Sequence, residues 1–349
     1  MKKACLFILC LLVSSLLLSL NAKAAQAAAS TAAGFYKGKI IDLVLPHGPG
    51  GGTDTYARML APYIERYTGG TVVIKNMPGA GGIYSMNYLY TSKPNGLTIG
   101  MMDVTSMILS QLMKEEGVRY DFKKLNWLGR IGWSKRTILV GRKSPYRTLK
   151  DMEGAKRIKV GVSGKISRPS LTFVYLAHAL DWPPGKLQLV IGYTGGKDLM
   201  MSVMQEEVDA TSLTEDTSAE FAKQGLVRAF LTVDQERSHF LPDVPTPYEQ
   251  VKIPKERDWP LATYVGLERL GRGVITAPGV PQEKVNFLRD VFDKVLKDKE
   301  LLAKAAKVNR DLMPMTGKEM EKEVTKKFGL LSDKQIAEFG SIAREKYTK

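Results

Sequence analysis

Ile40-Ile41-Asp42-Leu43-Val44-Leu45-Pro46-His47-Gly48-Pro49-Gly50-Gly51-Gly52-Thr53-Asp54 is the stretch that decides the fold. Its apolar first half reads as a buried strand. Its glycine-rich second half is a turn, and Thr53 or Asp54 is placed to cap a helix reaching about Tyr67, with Gly69-Gly70 as its stop and Pro62 as a kink. The pattern then repeats. Thr71–Lys75 is a strand, Asn76-Met77-Pro78-Gly79-Ala80-Gly81-Gly82 a second glycine turn, and Ile83 to about Ser92 a helix. Pro94-Asn95-Gly96 turns the chain into a third strand, Leu97–Met102. Such alternation predicts an α/β fold with a mainly parallel sheet flanked by helices.

The grammar restarts at Ile158–Val162, a strand followed by the polar turn Ser163 to Ser167. Pro169 suits the first turn of a helix to about Leu180. Leu187–Ile191 is the next strand, and Tyr193-Thr194-Gly195-Gly196 leads into a helix over Lys197–Glu206. Val208–Ser212 and Val227–Val233 complete a second α/β lobe. Crossings between lobes are expected near Ile138–Val140 and Ala262–Leu267. This divides the chain into lobe I (35–137 plus 265–349) and lobe II (138–264). After Pro281, Val285, Leu288, Phe292 and Val295 recur at helical spacing and read as core packing against the first lobe. Leu301 to Val308 and the charged stretch Lys318 to Tyr347 are also expected to be helical.

Residues 1–24 read as an export signal. Lys2 and Lys3 precede an apolar run from Leu6 to Leu20, and Ala22-Lys23-Ala24 is a small-residue cleavage site. The expected location is therefore the periplasm, with cleavage near Ala24. Cys5 and Cys10 are the chain's two cysteines, so the mature protein has no thiol for disulfides, zinc or nucleophilic catalysis. Removing Lys2, Lys3 and Lys23 lowers the net charge from +15 to +12. A basic surface can steer anionic ligands. No compact patch interleaves lysines with aromatics, which speaks against nucleic acid.

The three histidines, His47, His178 and His239, have no metal-ligand spacing, and no nucleophile elbow is present. The first glycine turn lacks the third glycine of a dinucleotide fingerprint and the lysine of a P-loop. No cofactor or metal is expected. Glycine turns at helix N-termini instead seat carboxylates or phosphates, because backbone N–H groups approach the ligand and the helix end carries partial positive charge.

Pro46 to Arg58 resembles the opening motif of the substrate-binding proteins of tripartite tricarboxylate transporters, the Bug or TctC-like family. Asn76–Gly82, Lys93–Thr98, Tyr193–Gly196, Leu241–Thr246 with Glu249, and Ala277–Pro281 are similar to further family elements. The resemblance implies a two-lobed, type II-like periplasmic binding protein with its ligand cleft between the lobes. It implies a small organic carboxylate as ligand, the permease subunits of a tripartite transporter as partners, a monomeric state and no enzyme activity. The substrate-binding residues it implies are His47, Gly48, Gly50, Gly51, Gly52, Thr53 and Asp54 on the first turn and Gly79, Ala80, Gly81 and Gly82 on the second. Lobe II adds Ser163, Lys165, Ser167, Tyr193, Thr194, Gly195, Gly196, Ser212 and Thr214. The chain departs from the family pattern at His47, Gly48 and Thr194, and at Lys165 and Arg168, where small residues are usual. His47 is expected to sit among backbone amides and to touch the ligand. An exported enzyme using His47 as a general base, and a sensory binding protein, are the alternative readings.

Overall fold

The structure is a computed structural model that describes residues 31–329 and 331–347; the export signal expected over residues 1–24 lies outside them. Eleven strands form two sheets among the described residues. The strands are β1 (Ile40–Leu45), β2 (Thr71–Asn76), β3 (Thr98–Asp103), β4 (Asn126–Gly132), β5 (Arg136–Gly141), β6 (Ile158–Val162), β7 (Leu187–Ile191), β8 (Ala210–Thr214), β9 (Val227–Val233), β10 (Arg272–Thr276) and β11 (Met315–Thr316). The first sheet runs β11-β4-β10-β3-β1-β2 and the second β7-β6-β8-β5-β9.

Both sheets are mixed. The expected parallel pairing holds for β1 with β2 and β3, and for β6 with β7 and β8. β10 and β5 run antiparallel to their neighbours. β5 follows β4 after three residues, with no crossover helix to restore direction, so it enters the second sheet reversed. The crossing expected at Ile138–Val140 is thus the middle of β5, and the chain changes sheets at residues 133–135. The crossing expected at Ala262–Leu267 lies inside the helix Lys255–Glu268, and the chain re-enters the first sheet at Arg272.

The helix Gly52–Thr68 runs through Pro62 and stops at Gly69, whose φ of 71° is the left-handed conformation that glycine tolerates. On Gln282–Leu296, Val285, Leu288, Phe292 and Val295 are all buried with Ile41, Leu43 and Leu45 of β1. Each such side chain contributes roughly 1.5–3 kcal/mol on burial. The charged C-terminal stretch is two helices, Gly317–Gly329 and Asp333–Ser341, the second opened by a capping box between Ser332 and Gln335. Assigned by sequence to the first lobe, the last segment instead covers Arg168–Ala179 beside the second sheet. There Phe339 stacks on Tyr175 at 4.1 Å, and the Tyr347 hydroxyl donates to Trp182 O at 2.9 Å. Among the described residues no helix is long and apolar enough to cross a membrane.

Candidate functional site

A cavity of about 60 Å³ lies between the sheets. That is several times the ~10–15 Å³ one water requires. Five helix N-termini meet there. The N-cap residues are Gly51, Asp103, Ser167, Gly195 and Thr214, all of which line the cavity. None uses a side chain to cap its helix. Two first-turn amides are taken by backbone: Val104 N donates to Gly271 O at 3.1 Å and Glu215 N to Lys135 O at 3.0 Å. Among the described residues nothing accepts from the amides of Gly52, Thr53 or Gly196. Unmet helix N–H groups amount to roughly half a positive charge per helix end. Arg136, Arg168 and Arg272 add three buried guanidiniums to the same walls.

The first turn is held in shape by Asp54. Its carboxylate accepts from Gly50 N (3.0 Å), Arg58 Nε (2.8 Å) and Asn76 Nδ2 (3.1 Å). Gly50 has a φ of 81°, which a side chain would strain. Burial works to raise the Asp54 carboxyl, and the bonds from Arg58, Gly50 and Asn76 outweigh it and hold it below the ordinary range. Asp54 therefore shapes the turn and keeps its charge away from the cavity.

His47 is not surrounded only by amides. Its Nε2 lies 2.7 Å from Asp103 Oδ2, and Asp103 Oδ1 accepts from Arg168 Nη1 at 3.1 Å. Arg168 also binds the buried Glu268, with Nε at 2.7 Å. Burial alone would raise the Asp103 carboxyl; Arg168, then His47, hold it well below the usual carboxylate range. Burial disfavours the Arg168 cation, and Glu268 and Asp103 more than restore it. Among the described residues Arg136 has no such carboxylate partner. Its Nε and Nη2 donate to Ser212, and burial pulls it down to about 10.

Of the residues named from sequence, His47, Gly51, Gly52, Thr53, Gly81, Ser163, Ser167, Gly195, Gly196 and Thr214 line the cavity. The others do not. Gly48 and Thr194 bond to each other across the lobes, Gly48 N to Thr194 O at 2.8 Å. Gly79, Ala80 and Gly82 form the second turn behind Gly81, with φ of 149°, 46° and 103°. The Tyr193 hydroxyl turns away to Glu207 at 3.2 Å. Ser212 lies behind the wall and orients Arg136. Lys165 is exposed and lines a separate surface groove with Arg157 and Ile191, because the Ser163–Ser167 turn points it outward. Missed from sequence were Asp103, Ser106, Arg136, Pro169, Leu199, Leu213, Thr217 and Arg272, while Arg168 is marked there as a departure from the family pattern. One signal was available: Arg136 and Arg272 interrupt the ends of otherwise apolar strands.

The lobes touch through glycine. A Cβ on Gly164 would come within 2.7 Å of Gly81 N, one on Gly51 within 3.3 Å of Gly196 N, and one on Gly195 within 3.4 Å of Gly48 N. Gly81 N also donates to Ser163 O at 3.3 Å. Backbone therefore packs on backbone where the two halves meet.

The sequence signature of the tripartite tricarboxylate transporter family receptor (TctC) matches residues 56–267, more than half of the chain. The chain belongs to this family. Among curated relatives it is 25% identical to a UPF0065 protein of Cupriavidus necator over 73% of this chain and 74% of that one. It is also 25% identical to protein BugT of Bordetella pertussis, over 63% of this chain and 68% of that one. Of solved structures, the periplasmic binding protein BugD superposes with a TM-score of 0.74 at 21% identity, covering 90% of this chain and 100% of that one. MatC of Rhodopseudomonas palustris, solved with bound malate, gives 0.71 at 17% identity over 88% and 99%. These likenesses place the TctC receptor chain in the two-lobed binding-protein fold.

Proposed function

We propose that this TctC family receptor is an exported solute-binding protein that encloses a small organic carboxylate between its lobes and hands it to the permease subunits of a tripartite transporter. The observation that carries this reading is the meeting of five helix N-termini without side-chain caps, together with three buried arginines, around one cavity. Such a space has unmet donors and positive potential, which an anion fills. Each hydrogen bond to a charged group contributes roughly 1.5–3 kcal/mol with water excluded. The solved relatives carrying malate and adipate accord with this chemistry.

In this reading lobe I is residues 35–137 with most of 265–349, and lobe II is 138–264, the first boundary falling inside β5 just after the link at 133–135. Binding residues are those on the cavity walls: the amides of Gly51–Thr53, Gly195 and Gly196, together with Gly81, Ser163, Ser167, Thr214 and His47. The protein acts as a monomer in the periplasm after cleavage near Ala24. No reaction is assigned, and the His47–Asp103 pair is read as part of the cavity wall.

The test is a thermal-shift screen of purified residues 25–349 against mono-, di- and tricarboxylates, with the bound compound recovered and weighed. Stabilisation by an acid recovered intact supports the reading. Chemical change of the acid supports an exported enzyme instead, and no response to any acid contradicts carboxylate capture.

A further inference from the structure

Arg272 stands out among the buried cations. It begins β10 and is 2% exposed. Its guanidinium lies over the Tyr56 ring at 4.6 Å, which fixes its plane. Its Nη2 reaches Thr214 Oγ1 only at 3.4 Å, and its Nε has no partner. Among the described residues no carboxylate is within ion-pair distance. Arg168 differs, since Asp103 and Glu268 saturate it. The nearby Asp216 is committed to Arg310 at 3.3 Å and to the Tyr56 hydroxyl at 3.1 Å.

The surroundings sharpen the imbalance. Arg272 sits where the N-terminus of Gly52–Thr68, from lobe I, meets that of Glu215–Lys223, from lobe II. A Cβ placed on Gly52 would be 3.6 Å from Arg272 Nη2, 3.7 Å from Thr214 Oγ1 and 2.7 Å from Thr217 Oγ1. Closing the lobes therefore buries a guanidinium between two positive helix ends. Arg272 makes no ion-pair contact with the buried Asp216 and Asp103 carboxylates that act on it through space, so its Nε stays open to an anion in the same corner.

The geometry points to Arg272 as the residue that anchors the ligand's carboxylate and makes closure depend on ligand charge. This rests on the carboxylate reading above and assigns the coupling to a side chain outside the glycine turns. Succinate, glutarate and adipate are the probes, each beside its diamide, with the wild type, Arg272→Gln and Arg272→Lys followed by calorimetry and thermal melting. In the wild type at least one acid binds and its diamide does not. Arg272→Gln weakens that acid by about 10- to 100-fold. Its ligand-free melting temperature stays near the wild type's, because Arg310 and the Tyr56 hydroxyl still hold Asp216. A merely structural arginine would instead lower the ligand-free melting temperature and leave the affinity unchanged. Arg272→Lys keeps the cation without the fork and falls between the two.

A folded Arg272→Gln that binds the acid as tightly as the wild type overturns the assignment while leaving the carboxylate reading standing. Failure of every acid to bind the wild type overturns both. Should neither variant fold, a crystal structure of the wild type with the bound acid decides. A carboxylate oxygen within hydrogen-bond distance of Arg272 supports the assignment, and a carboxylate seated elsewhere overturns it.

Discussion

Gly164→Ala isolates lobe closure from lobe folding. Gly164 lies in the turn after β6, and its φ is outside the left-handed region, so alanine imposes no backbone strain. Its new methyl would stand 2.7 Å from Gly81 N, 2.9 Å from Gly81 Cα and 3.1 Å from Ala80 C, all backbone atoms of the opposite lobe. Such contacts relax at roughly 3.4–3.5 Å, so the two turns must part by about 0.7 Å. The Gly81 N to Ser163 O bond, already 3.3 Å, then breaks. Overpacking costs about 1–3 kcal/mol and the lost bond about 0.5–1.5 kcal/mol. Together these disfavour the closed form by about 2–4 kcal/mol, or roughly 30-fold and upward in Kd. Calorimetry on the best-binding acid reads this directly, while the ligand-free melting temperature stays near the wild type's. Unchanged affinity, or a large loss of ligand-free stability, would refute the reasoning.

Three further outcomes are expected. Lys165→Ala should leave affinity for any bound acid unchanged, because the lysine faces a groove outside the cavity; a weakening in calorimetry would return it to the site. Asp54→Ala removes three bonds to the first turn and should lower stability by about 1–3 kcal/mol in urea unfolding, with weaker ligand binding as the turn loosens. Asp103 titrates below its ordinary value near 4 when folded, so its contribution is present above about pH 4 and drains away as acid protonates it. The stability gap between the wild type and Asp103→Asn should thus narrow from pH 7 to pH 3; a constant gap in denaturant titrations contradicts this.

The first glycine turn and the strands around it were legible because their signals are local: apolar run, glycines, helix start. The same holds for Gly195 and Gly196. The charged walls were not legible, since Asp103, Arg136, Arg168 and Arg272 come from different strands and helices and meet only when the two sheets face each other. Lys165 and Arg168 show the limit most clearly. They are three residues apart, Lys165 in the turn and Arg168 opening the next helix, yet one points to solvent and the other into the cavity, a difference set by the chain's path rather than by residue type. His47 lines the cavity, but its partner Asp103 lies fifty-six positions away and carries no mark in the sequence. Strand direction failed for a related reason. Nothing in Arg136–Gly141 records that the chain arrives without a crossover helix.

The central claim is that unmet helix N-termini and buried guanidiniums hold an anion between the lobes. Calorimetry of the mature chain with an acid of the thermal-shift screen and with the uncharged amide of the same carbon skeleton tests it most directly. The account predicts tight binding of the acid and a loss of at least about 100-fold for the amide, from two or more charged hydrogen bonds. Equal affinity for acid and amide would contradict it.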